Sequence, residues 1–230
     1  MAWQSGTKLV LLVNNSNADD TGNYTNSNAG TPVYDSGTKY EGTHSLKMTT
    51  ATPGTNCVSI DTDICPVIQA MSEVTFLWYL YHPSGTRYTY YHGKGTAPAF
   101  GATGEIGGYV DNIGNVMDAG WNGAAAAHAI TSVSDSWIQN HITWESTSGG
   151  TLKIYYNGSL IATRNPVSNS FGAENNSYYF GNTPFSQVSG MTYYVDRYIV
   201  AEGLHSSIEQ VNSALNIMQI GRNLNIMEGI

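Results

Sequence analysis

Apolar and polar positions alternate in short runs along most of the 230 residues. The clearest run is Val74 to Tyr81. Val74, Phe76, Trp78 and Leu80 fall on one side of an extended chain, and Thr75, Leu77, Tyr79 and Tyr81 on the other. Both sides are largely apolar or aromatic, which predicts a central strand in a packed sheet. Comparable runs predict strands at Lys8 to Val13, Ser45 to Thr50, Cys57 to Ile60, Tyr88 to His92, Ile106 to Val110, Trp137 to Glu145, Thr151 to Tyr156, Leu160 to Thr163, Tyr178 to Gly181 and Met191 to Val200. Gly, Asn, Ser and Pro clusters separate them. Asn157-Gly158 between two apolar runs predicts a hairpin, because a type I′ turn needs positive φ at both positions.

No helical period interrupts this series before about residue 200. Numerous strands without intervening helices predict a two-sheet sandwich rather than βαβ units. Ile208, Val211, Leu215 and Met218 then follow helical spacing, Ser206 with Glu209 fits a capping box, and Gly221 is a stop signal. The chain therefore divides into one β domain over 1–204 and a C-terminal helix and tail over 205–230. Phe76, Trp78, Ile142, Trp144, Leu152 and Ile154 are the expected centre of the core.

Charged residues make up 11% of the chain, against about 25% in an average soluble domain. The formal net charge is −8. That excludes a phosphate-binding basic stripe, so nucleic acid is not an expected partner, and neither is an anionic membrane surface. No run approaches the roughly 18 apolar residues of a membrane span. Leu9 to Val13 is too short for a signal-peptide core, which leads us to expect synthesis in a cytosol. Cys57 and Cys65 are the two cysteines. Buried thiols are expected, since a disulfide scaffold would carry more. The four Asn-x-Ser/Thr sequons, at Asn14, Asn23, Asn157 and Asn175, follow from the Asn- and Ser-rich composition.

The order of features resembles the laminin-G-like and concanavalin A-like lectin/glucanase family. Leu9 to Asn14 followed by Asp20-Thr21-Gly22 is similar to the family's opening strand and turn. Tyr34 to Leu46 resembles its second strand, and Val74 to Tyr79 its central aromatic strand. Trp137 to Thr163 is the fullest match, with Gly-Gly-Thr-Leu-Lys-Ile-Tyr-Tyr-Asn-Gly-Ser-Leu-Ile-Ala. Tyr194 to Ile199 resembles the closing strand. The resemblance implies an all-β jelly-roll sandwich of two antiparallel sheets. It also implies calcium as a candidate cofactor, with Asp196 at the closing-strand acid. Asp19, Asp20, Asp61 and Asp63 are further oxygen donors, although Asp61-Thr62-Asp63 reads as a turn. Asn14 and Asn15 stand where the family often has an acid.

Three functions are weighed on these residues. Glycosidases need two carboxylates across one bond. Glu105 and Asp111 would lie about 20 Å apart on a regular strand, and Glu145 stands alone. A polysaccharide lyase of this fold would need an Arg/Gln/His/Tyr set, of which only Gln139 and His141 share a face. We therefore expect no enzyme. A glycan-binding module would use exposed aromatic faces. Tyr90 and His92, with Tyr88 and Tyr91 beside them, and Trp121 in a Gly-rich loop over Asp118 to Gly123, are the candidate ligand contacts. A virion surface protein, as head decoration or tail-associated module, would be made in a cytosol and act outside it. The resemblance extends to laminin-G-like modules of phage particles. The expectation is a non-enzymatic virion surface protein that contacts a neighbouring structural protein or a surface glycan and forms a homo-oligomer. A stand-alone lectin module is the alternative.

Overall fold

The computed structural model describes residues 7–11, 13–18, 20–40, 42–49, 56–86, 88–94, 106–112, 115–121, 128–146, 149–165, 178–182 and 191–204. In chain order these contain β1 (Thr7–Leu11), β2 (Ser27–Ala29), β3 (Val33–Asp35), β4 (Ser45–Met48), β5 (Cys57–Ile60), α1 (Ile64–Ala70), β6 (Glu73–Tyr81), β7 (Thr89–Lys94) and β8 (Ile106–Asp111). They continue with β9 (Val116–Trp121), β10 (His128–Ala129), β11 (Ile138–Glu145), β12 (Thr151–Tyr156), β13 (Ser159–Arg164), β14 (Tyr178–Asn182) and β15 (Tyr193–Glu202). One sheet runs β13-β12-β11-β6-β15-β4-β3, with β1 added along the later half of β15. The other runs β10-β9-β8-β7-β14-β5-β2. Neighbouring strands in both sheets are antiparallel. This is the two-sheet sandwich that the alternation predicts. The expected C-terminal helix over 205–230 lies outside the described residues.

The sheets meet through aromatic rings. Trp78 of β6 stacks on Tyr90 of β7 at 5.5 Å, and Phe180 of β14 on Tyr198 of β15 at 5.0 Å. The hydroxyls of Tyr178 and Tyr198 are hydrogen-bonded across the gap. All six residues expected at the core centre are at most 2% exposed. Gly181 is required where β14 passes close over the other sheet. Its φ is +79, and a Cβ there would sit 2.5 Å from Leu46 Cδ2.

Two sequence expectations are corrected. The chain between β5 and β6 is helical: α1 buries Ile64, Cys65 and Ile68, and seven residues are too few to display a helical period. Asp118 to Trp121, in the stretch read as a Gly-rich loop, belong to strand β9, with Gly120 paired to Gly107 and Trp121 to Ile106. Paired glycines carry no side-chain alternation, so the strand left no hydrophobic signature. Asp61 does close a turn, accepting the Asp63 N–H at 3.1 Å. Cys57 and Cys65 form no disulfide and are buried, and burial pushes the Cys57 thiol up to about 12.

His82 follows β6 and is buried. Its Nδ1 lies 3.2 Å from the Pro83 carbonyl and its Nε2 3.1 Å from Ser132 Oγ, with the ring against Tyr88. A carbonyl only accepts, so Nδ1 carries the proton and Nε2 accepts from the serine hydroxyl. Burial holds the imidazole below its usual range, although the Pro83 and Val133 carbonyls and Asp135 oppose the shift. The unfolded chain therefore takes up this proton more readily than the folded one. Stability from this group is full above about pH 6.5 and declines as pH falls toward the lower folded value. Urea unfolding at roughly pH 7.5 and roughly pH 5.5 should show that decline. His82→Gln, which gains no charge, should flatten it; an equal decline in the variant would assign the loss to other groups.

Candidate functional site

The outer face of the larger sheet carries a row of rings. Pairing places Tyr81 of β6 opposite Tyr194 of β15, and Tyr194 opposite Lys47 of β4. Trp137 directly precedes β11, whose Ile138 faces Leu80, and its ring lies 5.6 Å from Tyr81. The Tyr81–Tyr194 centroids are 5.8 Å apart, and Lys47 Nζ stands 5.6 Å from the Tyr194 ring. These four side chains form one rung across β11, β6, β15 and β4, because facing residues of adjacent strands share a face. Trp137 and Tyr81 are half-buried. Tyr194 is 7% exposed and forms the floor under Lys47. The Lys47 ammonium is balanced by Asp35 Oδ2 at 3.8 Å.

Tyr40 adds a further ring from the connection between β3 and β4. It is 38% exposed, stacks on Tyr79 at 3.7 Å and meets Trp137 edge-on at 5.9 Å. Its connection is shaped locally. Asp35 Oδ1 accepts the N–H groups of Gly37 and Thr38 at 2.9 and 2.8 Å, and Lys39 Nζ donates to the Ser36 carbonyl. Asn14 Oδ1 accepts the Thr43 N–H at 2.7 Å. The anchor is Asp196, fully buried next to Tyr79, whose Oδ2 accepts the Tyr40 N–H at 2.9 Å. A main-chain donor fixed to a buried carboxylate holds the Tyr40 ring over the sheet.

The sequence-derived candidates fall elsewhere. Tyr90 is 0% exposed and packs on Trp78 and Phe180 between the sheets, so it offers no face to a ligand. His92 lies in β7, paired with Gly108 and Phe180, and Trp121 ends β9 rather than lying in a loop; the side chains of both are outside the described residues. Asp196, the candidate calcium ligand, is committed locally to the β3–β4 connection. One of its oxygens is engaged by the Tyr40 N–H, and no group of three His, Cys, Asp or Glu among the described residues could hold a metal ion. Gln139 and His141 are brought together, at 3.3 Å on the outer face, but His141 is 1% exposed and lies flat against Tyr155 at 4.0 Å. Glu145 and Asp111 belong to different sheets. Glu105 lies outside the described residues.

Sequence reasoning passed over Tyr40, Tyr81, Trp137, Tyr194 and Lys47. The alternation of β6 does carry a signal, since Tyr79 and Tyr81 fall opposite Phe76 and Trp78. The side chains that join them come from other segments: strand pairing places Trp137, Tyr194 and Lys47 alongside, and the bond to Asp196 places Tyr40.

No protein-family model matches the chain, and no curated protein matches it. Solved structures do. The receptor-binding domain of botulinum neurotoxin type G superposes with a TM-score of 0.57 at 11% identity, over 93% of this chain and 52% of that one. Domain 4 of AbnA, an extracellular GH43 arabinanase from Geobacillus stearothermophilus, in complex with arabinotriose, gives 0.58 at 16% identity, over 91% of this chain and 99% of that one. Alginate lyase vAL-1 from Chlorella virus gives 0.55 at 13% identity, over 80% and 94%. The chain spans about half the length of the neurotoxin structures it matches. At these identities the likeness establishes the β-sandwich jelly-roll fold.

The contacts of Asp196 yield a prediction. Asp196→Ala should cost about 1.5–3 kcal/mol, the worth of a hydrogen bond to a charged group. Asp196→Asn, which keeps an acceptor, should recover most of it. Chelator should leave the melting temperature of the native protein unchanged; a fall on chelation would restore a calcium role for this carboxylate.

Proposed function

We propose that the chain is a non-enzymatic glycan-binding module that uses the outer-face row of Tyr40, Trp137 and Tyr81. The observation that carries this is a contiguous set of partly exposed rings on a rigid sheet, with the Lys47 and Asp35 pair at one end. Aromatic faces cover the apolar C–H faces of sugars, and flanking donors and acceptors read the hydroxyls. Solved structures of the same fold include one in complex with arabinotriose and one in complex with SialylT, so the scaffold is suited to such ligands. The absence of catalysis is supported by the placement of His141. A general base must come within hydrogen-bond reach of the proton it takes, and this imidazole is nearly sealed under Tyr155.

The setting we propose is a virion surface, of the phage-like kind. The charge-poor exterior and the two unbridged, buried cysteines suit a protein folded in a reducing cytosol and released from it. A glycan array with the recombinant protein tests the binding role. We expect specific binding that falls at least about tenfold in Trp137→Ala and Tyr81→Ala with little change in melting temperature, as expected for aromatic anchors. A blank array would leave contact with a neighbouring structural protein as the function.

A further inference from the structure

We infer that the row selects an internal stretch of a linear, neutral glycan, lying across the strands, over a single terminal sugar. This rests on the glycan-binding proposal and goes further by naming the ligand class. Spacing is the first argument. Tyr40 to Trp137 is 5.9 Å, Trp137 to Tyr81 is 5.6 Å, Tyr81 to Tyr194 is 5.8 Å, and the Lys47 ammonium stands a further 5.6 Å from the Tyr194 ring. Trp137, Tyr81, Tyr194 and Lys47 inherit this near-constant step from strand pairing, which repeats every 4.7–4.9 Å or so across a sheet, and Tyr40 joins them from the β3–β4 connection, where it lies over Tyr79. A repeating ligand whose unit length is close to that step meets the partly exposed rings of Tyr40, Trp137 and Tyr81 in turn and then the Lys47 ammonium, which stands over the buried Tyr194 ring. A single sugar covers only one step and leaves the other partly exposed rings uncovered.

Charge is the second argument. Lys47 is the cation of the row, and Asp35 lies 3.8 Å from it. A carboxylate or sulfate arriving there would compete with Asp35 and face its charge. A neutral sugar instead meets an ammonium donor and a carboxylate acceptor side by side, which suits a pair of neighbouring hydroxyls. The molecule as a whole is also acidic, at −8, which disfavours the approach of polyanions. Rigidity is the third argument. Tyr81 and Tyr194 sit on the central strands β6 and β15, and Tyr40 is tied to Asp196. The platform is therefore organised before the ligand arrives, and a longer ligand gains contacts without an added ordering cost.

The test is calorimetric titration of the full chain with cello-, xylo-, manno- and arabino-oligosaccharides from one to six units, alongside oligogalacturonate and sialyllactose. In at least one neutral series we expect no measurable monosaccharide binding. Affinity should rise by about tenfold or more up to roughly three or four units and then level off, as each anchor is engaged in turn. Tyr81→Phe, which keeps the ring, should retain the profile, and Tyr81→Ala should move the plateau to a shorter chain. A monosaccharide bound as tightly as its tetrasaccharide would overturn the linear-chain inference and leave glycan binding standing. So would preference for the acidic ligands. Failure of every sugar here together with a blank array would remove both proposals.

Discussion

The bulge in β15 is the constraint on which the rest depends. Asp196 pairs with Tyr79 of β6, and Ile199 pairs with Leu77, so three steps on β15 match two on β6. Arg197 absorbs the extra residue with φ of +52, a conformation that costs a non-glycine residue about 1–2 kcal/mol. The bulge changes which positions face inward. Before it, Val195 points into the core while Tyr194 and Asp196 point out. After it, Tyr198 and Val200 are the core residues. Without the shift, continued alternation would turn Tyr198 out of its stack with Phe180 and its hydrogen bond with Tyr178, or turn Asp196 inward among apolar rings.

One backbone irregularity thus sets both the core contact and the candidate site. Asp196 on the outer face can take the Tyr40 N–H, and that bond lays the β3–β4 connection over Tyr79. Tyr40 then touches Trp137, and Trp137 touches Tyr81. The outer face is not uniformly open. Leu77, His141 and Ile199 are about 1% exposed, whereas Trp137 and Tyr81 are half-buried one rung or more further along. Burial at one end supports the rings, and partial exposure at the other leaves them available. The Lys47 and Asp35 pair adds polarity without net charge, in keeping with a chain whose charged residues are few.

Much of the fold was legible in the sequence. Alternation located β5, β6, β11 and β12 almost to the residue, and Asn157-Gly158 marked the hairpin, with Asn157 at φ +48 and Gly158 at +75. The run of strands without intervening helices pointed to the two-sheet sandwich, and the resemblance added its jelly-roll form. What was not legible has physical causes. The strand β9 pairs glycine with glycine, and α1 is two turns long. A Tyr-rich run such as Tyr88 to His92 looks the same whether its rings line a core or a surface. Tyr90 proved to be core. Asp196 was singled out from the resemblance as a candidate calcium ligand, whereas its bond to the Tyr40 main-chain N–H, 156 residues away in sequence, is one that no local pattern discloses. The row itself combines Trp137, Tyr81, Tyr194 and Lys47 from four segments in register, with Tyr40 added from the β3–β4 connection, and register is a property of pairing.

The most direct measurement is chemical-shift mapping with tyrosine-labelled protein during titration with a neutral tetrasaccharide that binds it. If the outer-face row is the site, the resonances of Tyr40, Tyr81 and Tyr194 should shift together and saturably, while those of Tyr90, Tyr178 and Tyr193, buried between the sheets, stay in place. Shifts confined to the other sheet, with Tyr40 and Tyr81 unmoved, would contradict the assignment of function to this face.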